Sequence, residues 1–288
     1  MQVDRRLIFI AVALTVGIFL YFPLPCPMPI DPEVRKYFEA IESLPKGSVV
    51  VVSTEYSPST EAEQWCMHEN TLYHLFVRGI RVISISTWET GNDIAAKYIR
   101  RACELVRLDW GKEVRPDIDY AELAYTTGRE IVMVAAANSI TEAFPRTCDG
   151  RPSASLPALK GVKGLAPDPV TGKRSVAFLI DFASGNPGTR EWIRMVGKRY
   201  NVPILAGVTS VMAPDLYPFI RSGQVKGLLA GLPGSYQYEL LLRRHGIRKS
   251  RSTIDSDMTI QSAVHFLIIG LVLIGNLGYL LTRKRRRR

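Results

Sequence analysis

Histidine and cysteine are scarce in this sequence, which has four residues of each. His68 and His74 lie within one predicted helix, and Cys66 has no second pair of ligands at the spacing of a zinc site. His245 lies near the end of another predicted helix, and His265 lies at the start of an apolar run. A catalytic serine needs an adjacent base and a metal ion needs clustered ligands. The sequence therefore predicts neither a serine–histidine pair nor a metal site.

The common motifs that hold phosphates or activate a serine are also missing. The sequence contains no G-x-G-x-x-G, no G-x-S-x-G and no internal repeat. The stretch Lys46-Gly47-Ser48 precedes a predicted strand, whereas a phosphate-binding P-loop follows one. We therefore expect no cofactor.

Basic charge is lacking over most of the chain, although the formal net charge is +10. Residues 283–288, which read RKRRRR, supply +6, and residues 4–6 supply +1, which leaves +3 for residues 7–282. A nucleic-acid-binding domain usually carries a basic face on its folded part. We therefore expect no nucleic-acid partner and assign the basic tail to the membrane surface.

A long apolar run, 263–282, directly precedes the basic tail. A helix of about 20 apolar residues crosses a bilayer, and Lys and Arg beside a span are retained on the cytoplasmic side. This pattern predicts a transmembrane helix followed by a cytoplasmic tail.

A second apolar run lies near the N-terminus, at 7–23, behind Arg5 and Arg6. Prolines at positions 23, 25 and 27 follow it in place of the small residues of a signal-peptidase site. Leu24 and Pro25 are also not the small pair that lipidation of Cys26 would need. We therefore expect an uncleaved transmembrane anchor.

The two charge signals predict the same topology, with both termini in the cytoplasm and the main domain outside the cytoplasm. The expected partners are then the lipid bilayer and either further copies of the chain or other membrane proteins. The predicted segments are a cytoplasmic N-terminus 1–6, transmembrane helix 7–23, extracytoplasmic domain 24–245, linker 246–262, transmembrane helix 263–282 and cytoplasmic tail 283–288.

The cysteines are Cys26, Cys66, Cys103 and Cys148. Disulfides are permitted outside the cytoplasm, and Cys66 and Cys103 lie in successive predicted helices. Buried free thiols are the equal alternative.

Between the two spans, short apolar strands alternate with helices. Predicted strands are 48–52, 80–86, 119–124, 131–137, 176–182, 203–208 and 225–230. Predicted helices are 33–43, 61–78, 93–108, 189–200, 213–222 and 235–245. This alternation predicts an α/β fold, a single doubly wound and mostly parallel sheet domain between two transmembrane helices. The units are too few for an eight-fold barrel.

Residues 145–174 break this alternation with five prolines and little periodicity. A loop of this length is usually functional or mobile. We expect it to act as a lid if the domain is an enzyme.

The candidate site residues follow the predicted strands, because ligands of open α/β sheets bind outside the carboxyl ends of the strands. Asp181 ends an apolar strand, where a charge is costly without partners. Candidate catalytic residues are Ser53, Glu55, Asp181 and Ser184. Candidate ligand-binding residues are Asp181, Ser184, Gly185, Asn186, Thr209 and Ser210. Ordinary turn and helix-capping roles are the alternative.

Small residues are spaced along both apolar runs, and small residues let membrane helices approach closely. Candidate helix-packing residues are Ala13, Gly17, Gly270, Gly275, Asn276 and Gly278. Asn276 can hydrogen-bond between helices, so we expect it to face protein.

Two functions remain open. The first is a membrane-anchored extracytoplasmic binding or scaffold subunit, which assembles with itself or with membrane partners. The second is a membrane-tethered, hydrolase-like enzyme with its active site at the strand exits. A deep pocket beneath the Pro-rich loop would favour the enzyme, and strand exits filled by their own side chains would favour the scaffold.

Overall fold

The computed structural model describes residues 5–22, 24, 27–250 and 252–285, with only the backbone described at 278 and 280–285. The chain forms two compact units. A helical unit combines residues up to Met28 with those from Arg251 onward, and an α/β unit comprises Pro29–Ser250.

The helices are α1 Arg5–Tyr21, α2 Pro32–Glu42, α3 Glu61–Arg78, α4 Gly91–Trp110, α5 Glu130–Asn138, α6 Ile140–Ala143, α7 Thr189–Trp192, α8 Lys198–Tyr200, α9 Ala213–Arg221, α10 Gly231–Arg244 and α11 Ile254–Arg285. A π-helical turn, Ile193–Gly197, joins α7 to α8. The strands are β1 Val49–Glu55, β2 Arg81–Ile85, β3 Tyr120–Glu122, β4 Phe178–Ala183, β5 Ile204–Val208 and β6 Val225–Ala230.

The six strands form one sheet in the order β3-β2-β1-β4-β5-β6, and every neighbouring pair is parallel. The predicted α/β fold with a parallel sheet is therefore confirmed. The chain starts in the middle at β1, builds one half outward to β3, and then crosses to β4 to build the other half. The strand order consequently reverses between β1 and β4, which is the position where doubly wound sheets bind their ligands.

Both faces of the sheet are buried, which explains the continuous apolar strands. Val49 and Val51 face one core, which is completed by α5, α6, the segment from α7 to α8, and α9. Val50 and Val52 face the other core, which is completed by α2, α3, α4 and α10. Valine is favoured at both sets of positions because β-branched side chains pack well on a pleated surface.

One predicted strand, 131–137, is wrong, because these residues form helix α5. Val132, Met133, Ala136 and Ala137 are buried on one side of this helix. Ile131 is 79% exposed, which a central strand buried on both faces would not allow. Short apolar runs of this kind cannot be assigned by periodicity alone, and the alanines favour the helix.

The Pro-rich segment belongs to the core of the α/β unit. Leu156, Ala158, Leu159 and Leu165 are buried in the cluster on the α5 side of the sheet. Arg81, the first residue of β2, donates from Nη1 to the carbonyl oxygen of Ala158 at 3.2 Å. This part of the segment therefore lies by the amino end of β2. A role of the segment as a lid over the strand exits stays a prediction.

In the helical unit, α1 packs against α11. Among the described helices, one is long and apolar enough to cross a membrane, over Ile254–Leu277 of α11. Helix α1 has 17 residues, which gives a length of about 26 Å against a hydrocarbon thickness of about 30 Å. Helix α11 begins at Ile254, within the predicted linker 246–262. The last three residues of the basic tail lie outside the described residues.

Candidate functional site

Three of the four catalytic candidates meet where the strand order reverses. Ser53 of β1 is paired in register with Asp181 of β4, so their side chains point to the same face of the sheet. Glu55 lies two residues after Ser53 on that face. The last residue of β1, Glu55, and a residue in the middle of β4, Asp181, therefore lie next to each other near the carboxyl ends of these two strands.

Glu55 is completely buried and is held by hydrogen bonds from its own surroundings. Ser53 Oγ donates to Glu55 Oε1 at 2.6 Å, and Thr87 Oγ1 donates to Oε2 at 2.8 Å. The backbone N–H of Thr87 donates to the same carboxylate at 3.1 and 3.2 Å. Burial raises the pKa of Glu55 to about 7, although the bonds from Ser53 and Thr87 act in the opposite direction.

Asp181 is also completely buried. Thr189 Oγ1 donates to Asp181 Oδ2 at 2.5 Å, and Asp181 Oδ1 has no hydrogen-bond partner. Burial raises the pKa of Asp181 well above its ordinary value, and the neighbouring acids Glu55 and Glu191 raise it further. The surroundings of Asp181 therefore favour its protonated form, because two adjacent buried carboxylates repel each other.

Trp192, one turn beyond Thr189, covers this pair from the helix side. Its indole lies near enough to Glu55 to lower the pKa of that carboxyl, but the indole N–H makes no hydrogen bond of ordinary geometry. Trp192 itself is completely buried. The indole N–H and Asp181 Oδ1 are thus two polar atoms left unpaired in the same buried region.

The loop after β4, which carries Ser184, Gly185 and Asn186, closes over the carboxyl pair. The backbone N–H of Ser184 donates to the carbonyl oxygen of Glu55 at 3.1 Å. A Cβ on Gly185 would lie 3.0 Å from the ring of Trp88, so the loop backbone approaches that ring closely. Asn186 accepts from Arg129 Nη2 at 2.8 Å. These candidates are therefore held by neighbouring protein groups.

Asn186 also reaches the helix that follows its loop. Its Nδ2 donates to Glu191 Oε1 at 3.1 Å, and the backbone N–H of Gly188 donates to Glu191 Oε2 at 3.0 Å. These contacts fix the loop against α7.

The candidates after β5 lie apart from the carboxyl pair, at the next strand exit. Thr209 is buried and its Oγ1 has no hydrogen-bond partner, whereas Ser210 is exposed. The backbone N–H of Ser210 donates to Glu63 Oε2 at 2.8 Å. No observed contact joins these two residues to Ser53, Glu55 or Asp181 within the described chain.

Two of the three histidines of the α/β unit, His68 and His74, are engaged elsewhere. His68 shares a hydrogen bond with the Tyr56 hydroxyl at 2.9 Å and stacks on Phe182. Burial lowers the pKa of His68 to about 3, so it is neutral. His74 bonds to Glu42 at 2.7 Å and to Tyr238 at 2.8 Å. Neither imidazole is placed to activate Ser53 or Ser184.

Among the described residues, no group of three or more His, Cys, Asp and Glu side chains could hold a metal ion. Cys66, Cys103 and Cys148 are free thiols, while Cys26 lies outside the described residues. Asn70 Nδ2 lies 3.1 Å from the buried Cys66 Sγ, and burial raises the pKa of that thiol. The structure thus contains free thiols at Cys66 and Cys103, the pair considered for a disulfide.

Three of the predicted helix-packing glycines, Gly17, Gly270 and Gly275, do not form the contact between α1 and α11. A Cβ added at Gly17, Gly270 or Gly275 would meet no atom within 4 Å. Ala13 and Asn276 are exposed, and the surroundings of Gly278 lie outside the described residues. Their packing against another chain remains a prediction.

Sequence reasoning missed Thr87, Thr189 and Trp192, which complete the buried cluster. Thr87 lies in a strand-exit loop, a position that could have marked it. Thr189 and Trp192 reach the carboxyl pair only through the packing of α7 on the sheet. No family model, curated protein or solved structure matches this chain.

Proposed function

We propose that this chain is a membrane-anchored binding or scaffold subunit that assembles with itself or with membrane partners. The observation that carries the proposal is the outward surface of the helical unit. Large apolar side chains on both helices are strongly exposed, among them Phe9, Leu14, Phe266 and Leu273. Asn276 lies on the surface of α11, and a polar side chain within a membrane is stabilised when a neighbouring helix supplies its partner.

The closed strand exits also support a scaffold over an enzyme. Glu55 and Asp181 are completely buried, and their neighbours Ser53, Thr87 and Thr189 are buried as well. The carboxyl edge at the reversal of strand order is therefore filled by the protein's own side chains.

The proposed topology has two transmembrane helices, α1 and α11, with both termini in the cytoplasm and the α/β unit outside it. Arg5 and Arg6 before the first helix and the basic tail after the second support this orientation through the positive-inside rule. A slight bilayer thinning would accommodate the short first helix.

The test is the oligomeric state of the full chain after extraction in mild detergent, measured by native mass spectrometry. We expect an oligomer or a complex with a co-purifying membrane protein. Asn276→Leu should weaken the assembly about threefold, the typical worth of a hydrogen bond between membrane helices. Leu277→Ile is the matched control and should leave the assembly unchanged. A monomeric wild-type chain without a partner would refute the proposal.

A second candidate is a hydrolase-like enzyme, favoured by the convergence of Ser53, Glu55 and Asp181 at the reversal of strand order. Its test is labelling of the full chain by a fluorophosphonate probe. Labelling that disappears in Ser53→Ala or Ser184→Ala would support the enzyme. Equal labelling of the wild type and both variants would refute serine catalysis.

A further inference from the structure

The α/β unit contains a cavity of about 360 Å³ by the amino ends of β5 and β6. Its lining includes Arg174 from the loop before β4, Pro203 before β5 and Lys226 in β6. Glu55 and Asp181 lie near the carboxyl ends of their strands, so the cavity is a separate place in the fold. Small-molecule sites have volumes of about 300–1,000 Å³, and this cavity is therefore large enough for a small organic ligand.

The cavity is lined by three cationic side chains and, within the described part of the chain, by no acidic one. The three cations are Arg174, Lys198 and Lys226. Lys198 and Lys226 form no hydrogen bond or ion pair with any described residue. Arg174 Nη2 donates to the carbonyl oxygen of Asn201 at 2.6 Å, which leaves the other N–H groups of this guanidinium for a ligand.

An irregularity in the sheet adds Lys226 to the lining. Ile204 of β5 is opposite Val225, but the next residue, Leu205, is opposite Gly227. Lys226 is therefore the extra residue of a β-bulge, and a bulge redirects a side chain. It is also the exposed residue of a strand whose other residues are buried or half-buried.

Two helix ends reduce the positive charge of the cavity without cancelling it. The helical segment from α7 to α8 and helix α9 both end here, where Asn201 and Ser222 line the cavity. The end carbonyls of α9 are already used, because two backbone N–H groups of the following turn donate to them at 3.0 and 2.9 Å. A helix C-terminus carries about −0.5 charge, so two ends leave about +2 of the three cationic charges unbalanced.

The surrounding sequence is basic as well. Residues 173–226 contain eight Lys and Arg and three Asp and Glu, a net charge of +5, whereas residues 7–282 as a whole carry +3. Two of these acids, Asp181 and Glu191, are buried, and the third, Asp215, is paired with an arginine. The near-neutral charge of the domain thus hides a basic region around the cavity.

We propose that this cavity binds a phosphate monoester. At neutral pH such a group carries about −1.5 to −2 charge, which matches the unbalanced charge of the cavity. Arginine and lysine hold phosphate oxygens through charge-assisted hydrogen bonds, and Asn201 adds a neutral amide. A phosphodiester carries one negative charge and would leave part of the positive charge unbalanced. The inference goes beyond the proposed assembly and does not depend on the membrane placement.

The test is equilibrium dialysis of the full chain in a nonionic detergent at physiological salt, with radiolabelled glycerol phosphate as the probe. We expect saturable binding. Arg174→Gln, Lys198→Gln and Lys226→Gln should each weaken it about tenfold, the scale of one charge-assisted hydrogen bond. Circular dichroism checks that each variant folds. Absence of saturable binding at millimolar probe would overturn the inference.

Arg199→Gln is the matched control, because Arg199 is an exposed cation beside Lys198 that does not line the cavity. It should change the affinity less than about twofold, since salt screens exposed charges. An affinity that Arg199→Gln and the cavity variants lower equally would indicate diffuse attraction to the basic surface and refute the site.

The number of charges on the ligand is tested by competition. Glycerophosphocholine is a phosphodiester, and it should displace the probe about tenfold more weakly than unlabelled glycerol phosphate does, because it makes one charge-assisted contact fewer. Equal displacement by the two compounds would contradict the assignment to a monoester.

Two sources share this chemistry, a soluble phosphorylated molecule and the headgroup of phosphatidic acid. The full chain is placed in phosphatidylcholine nanodiscs that contain either phosphatidic acid or oleic acid, which is anionic but has no phosphate. Loss of probe binding with phosphatidic acid alone would identify the lipid headgroup, and unchanged binding in both discs would identify a soluble ligand. A monomeric chain that still binds glycerol phosphate would refute the proposed assembly and leave this site intact.

Discussion

At the scale of single residues, the α/β unit holds a pair of buried carboxyl groups, Glu55 and Asp181, that form no ion pair with any described residue. Glu55 is stabilised by hydrogen bonds from Ser53 and Thr87, and Asp181 by one from Thr189. Burial nevertheless dominates and raises the pKa of both carboxyls. The folded protein therefore favours the protonated forms, and its stability is linked to pH.

The pH linkage predicts a difference between the wild type and Glu55→Gln. From a pH of about 4.5, where the unfolded glutamate ionises, to the folded pKa of about 7, the unfolded chain releases a proton that the folded chain retains. Over this window the free energy of unfolding of the wild type should fall by about 3 kcal/mol relative to the variant. Glutamine at position 55 has no carboxyl proton to release, so the free energy of unfolding of the variant should decrease less over the same pH range.

Thermal unfolding of the full chain in detergent, followed by circular dichroism between pH 5 and 8, measures this difference. The comparison between variants is needed because the buried His68 and His74, whose pKa values are lowered, change stability in the opposite sense. The exposed Glu113→Gln is the control and should run parallel to the wild type. Parallel profiles of Glu55→Gln and the wild type would contradict the prediction.

A second residue-scale prediction concerns the buried ion pair between Arg248 and Glu69. Arg248 Nη2 lies 3.1 Å from Glu69 Oε1, and both side chains are only 1% exposed. Arg101 Nε approaches the other oxygen of Glu69 at 2.6 Å from a half-exposed position. Arg248→Met should lower the free energy of unfolding by about 3 kcal/mol, because a buried carboxylate loses its enclosed partner.

Arg101→Met is the matched control for Arg248→Met, since it removes an arginine from the same carboxylate. Its cost should be about 1 kcal/mol or less because the guanidinium is largely solvated. Chemical denaturation of the full chain in detergent measures both values. An equal decrease in the free energy of unfolding for the two variants would show that burial of Arg248 does not strengthen its ion pair with Glu69.

At the scale of elements, the packing of α2 on β6 depends on a glycine. A Cβ at Gly227 would lie 2.5 Å from the backbone nitrogen and Cα of Tyr37 in α2. Tyr37 is completely buried and its hydroxyl lies 3.0 Å from Thr71 Oγ1. The helix therefore approaches the strand more closely than any larger residue would allow.

Gly227→Ala should consequently displace α2 and lower the free energy of unfolding by about 2 kcal/mol, as overpacked cores do. Lys226→Ala in the same strand is the control, because Lys226 is exposed and successive side chains of a strand point to opposite faces of the sheet. Urea denaturation compares the two variants. If the Gly227→Ala and Lys226→Ala variants have the same free energy of unfolding, α2 can move away from β6 without loss of stability, and the prediction is wrong.

The elements also differ in how well the sequence predicts them. Helix α3 is predicted at 61–78 and observed at Glu61–Arg78, because Gly79 ends it in a left-handed conformation, φ 71°. Residues 131–137 of helix α5 are misassigned as a strand, because a short apolar run fits a buried strand and a buried helix equally well. The choice between helix and strand is decided by how this segment packs on the sheet, and that packing involves residues far away in the sequence.

At the scale of the whole molecule, orientation in the membrane is the property that charge predicts most directly. Cys148 is an exposed thiol of the α/β unit. With the α/β unit outside the cytoplasm, a membrane-impermeant maleimide should label Cys148 in intact cells. A thiol introduced by Arg285→Cys in a background with Cys26, Cys103 and Cys148 replaced by alanine should become labelled only after permeabilisation.

The reverse labelling pattern would place the α/β unit in the cytoplasm. It would also remove the reason to consider disulfides, because thiols are kept reduced there. Labelling of both thiols in intact cells would indicate that a single helix spans the membrane.

The sequence by itself determined the α/β fold, the parallel sheet and the apolar C-terminal helix. A sheet buried on both faces requires continuous apolar strands, and a long apolar helix requires a long apolar run, so both are visible in the order of the residues. It also indicated Ser53, Glu55 and Asp181 as strand-exit residues. Only the tertiary structure decided that these side chains meet, since register between β1 and β4 joins residues about 128 positions apart. It also decided that Thr87, Thr189 and Trp192 enclose them, because Thr189 and Trp192 reach the pair only through the packing of α7, and Thr87 reaches it from the loop after a neighbouring strand.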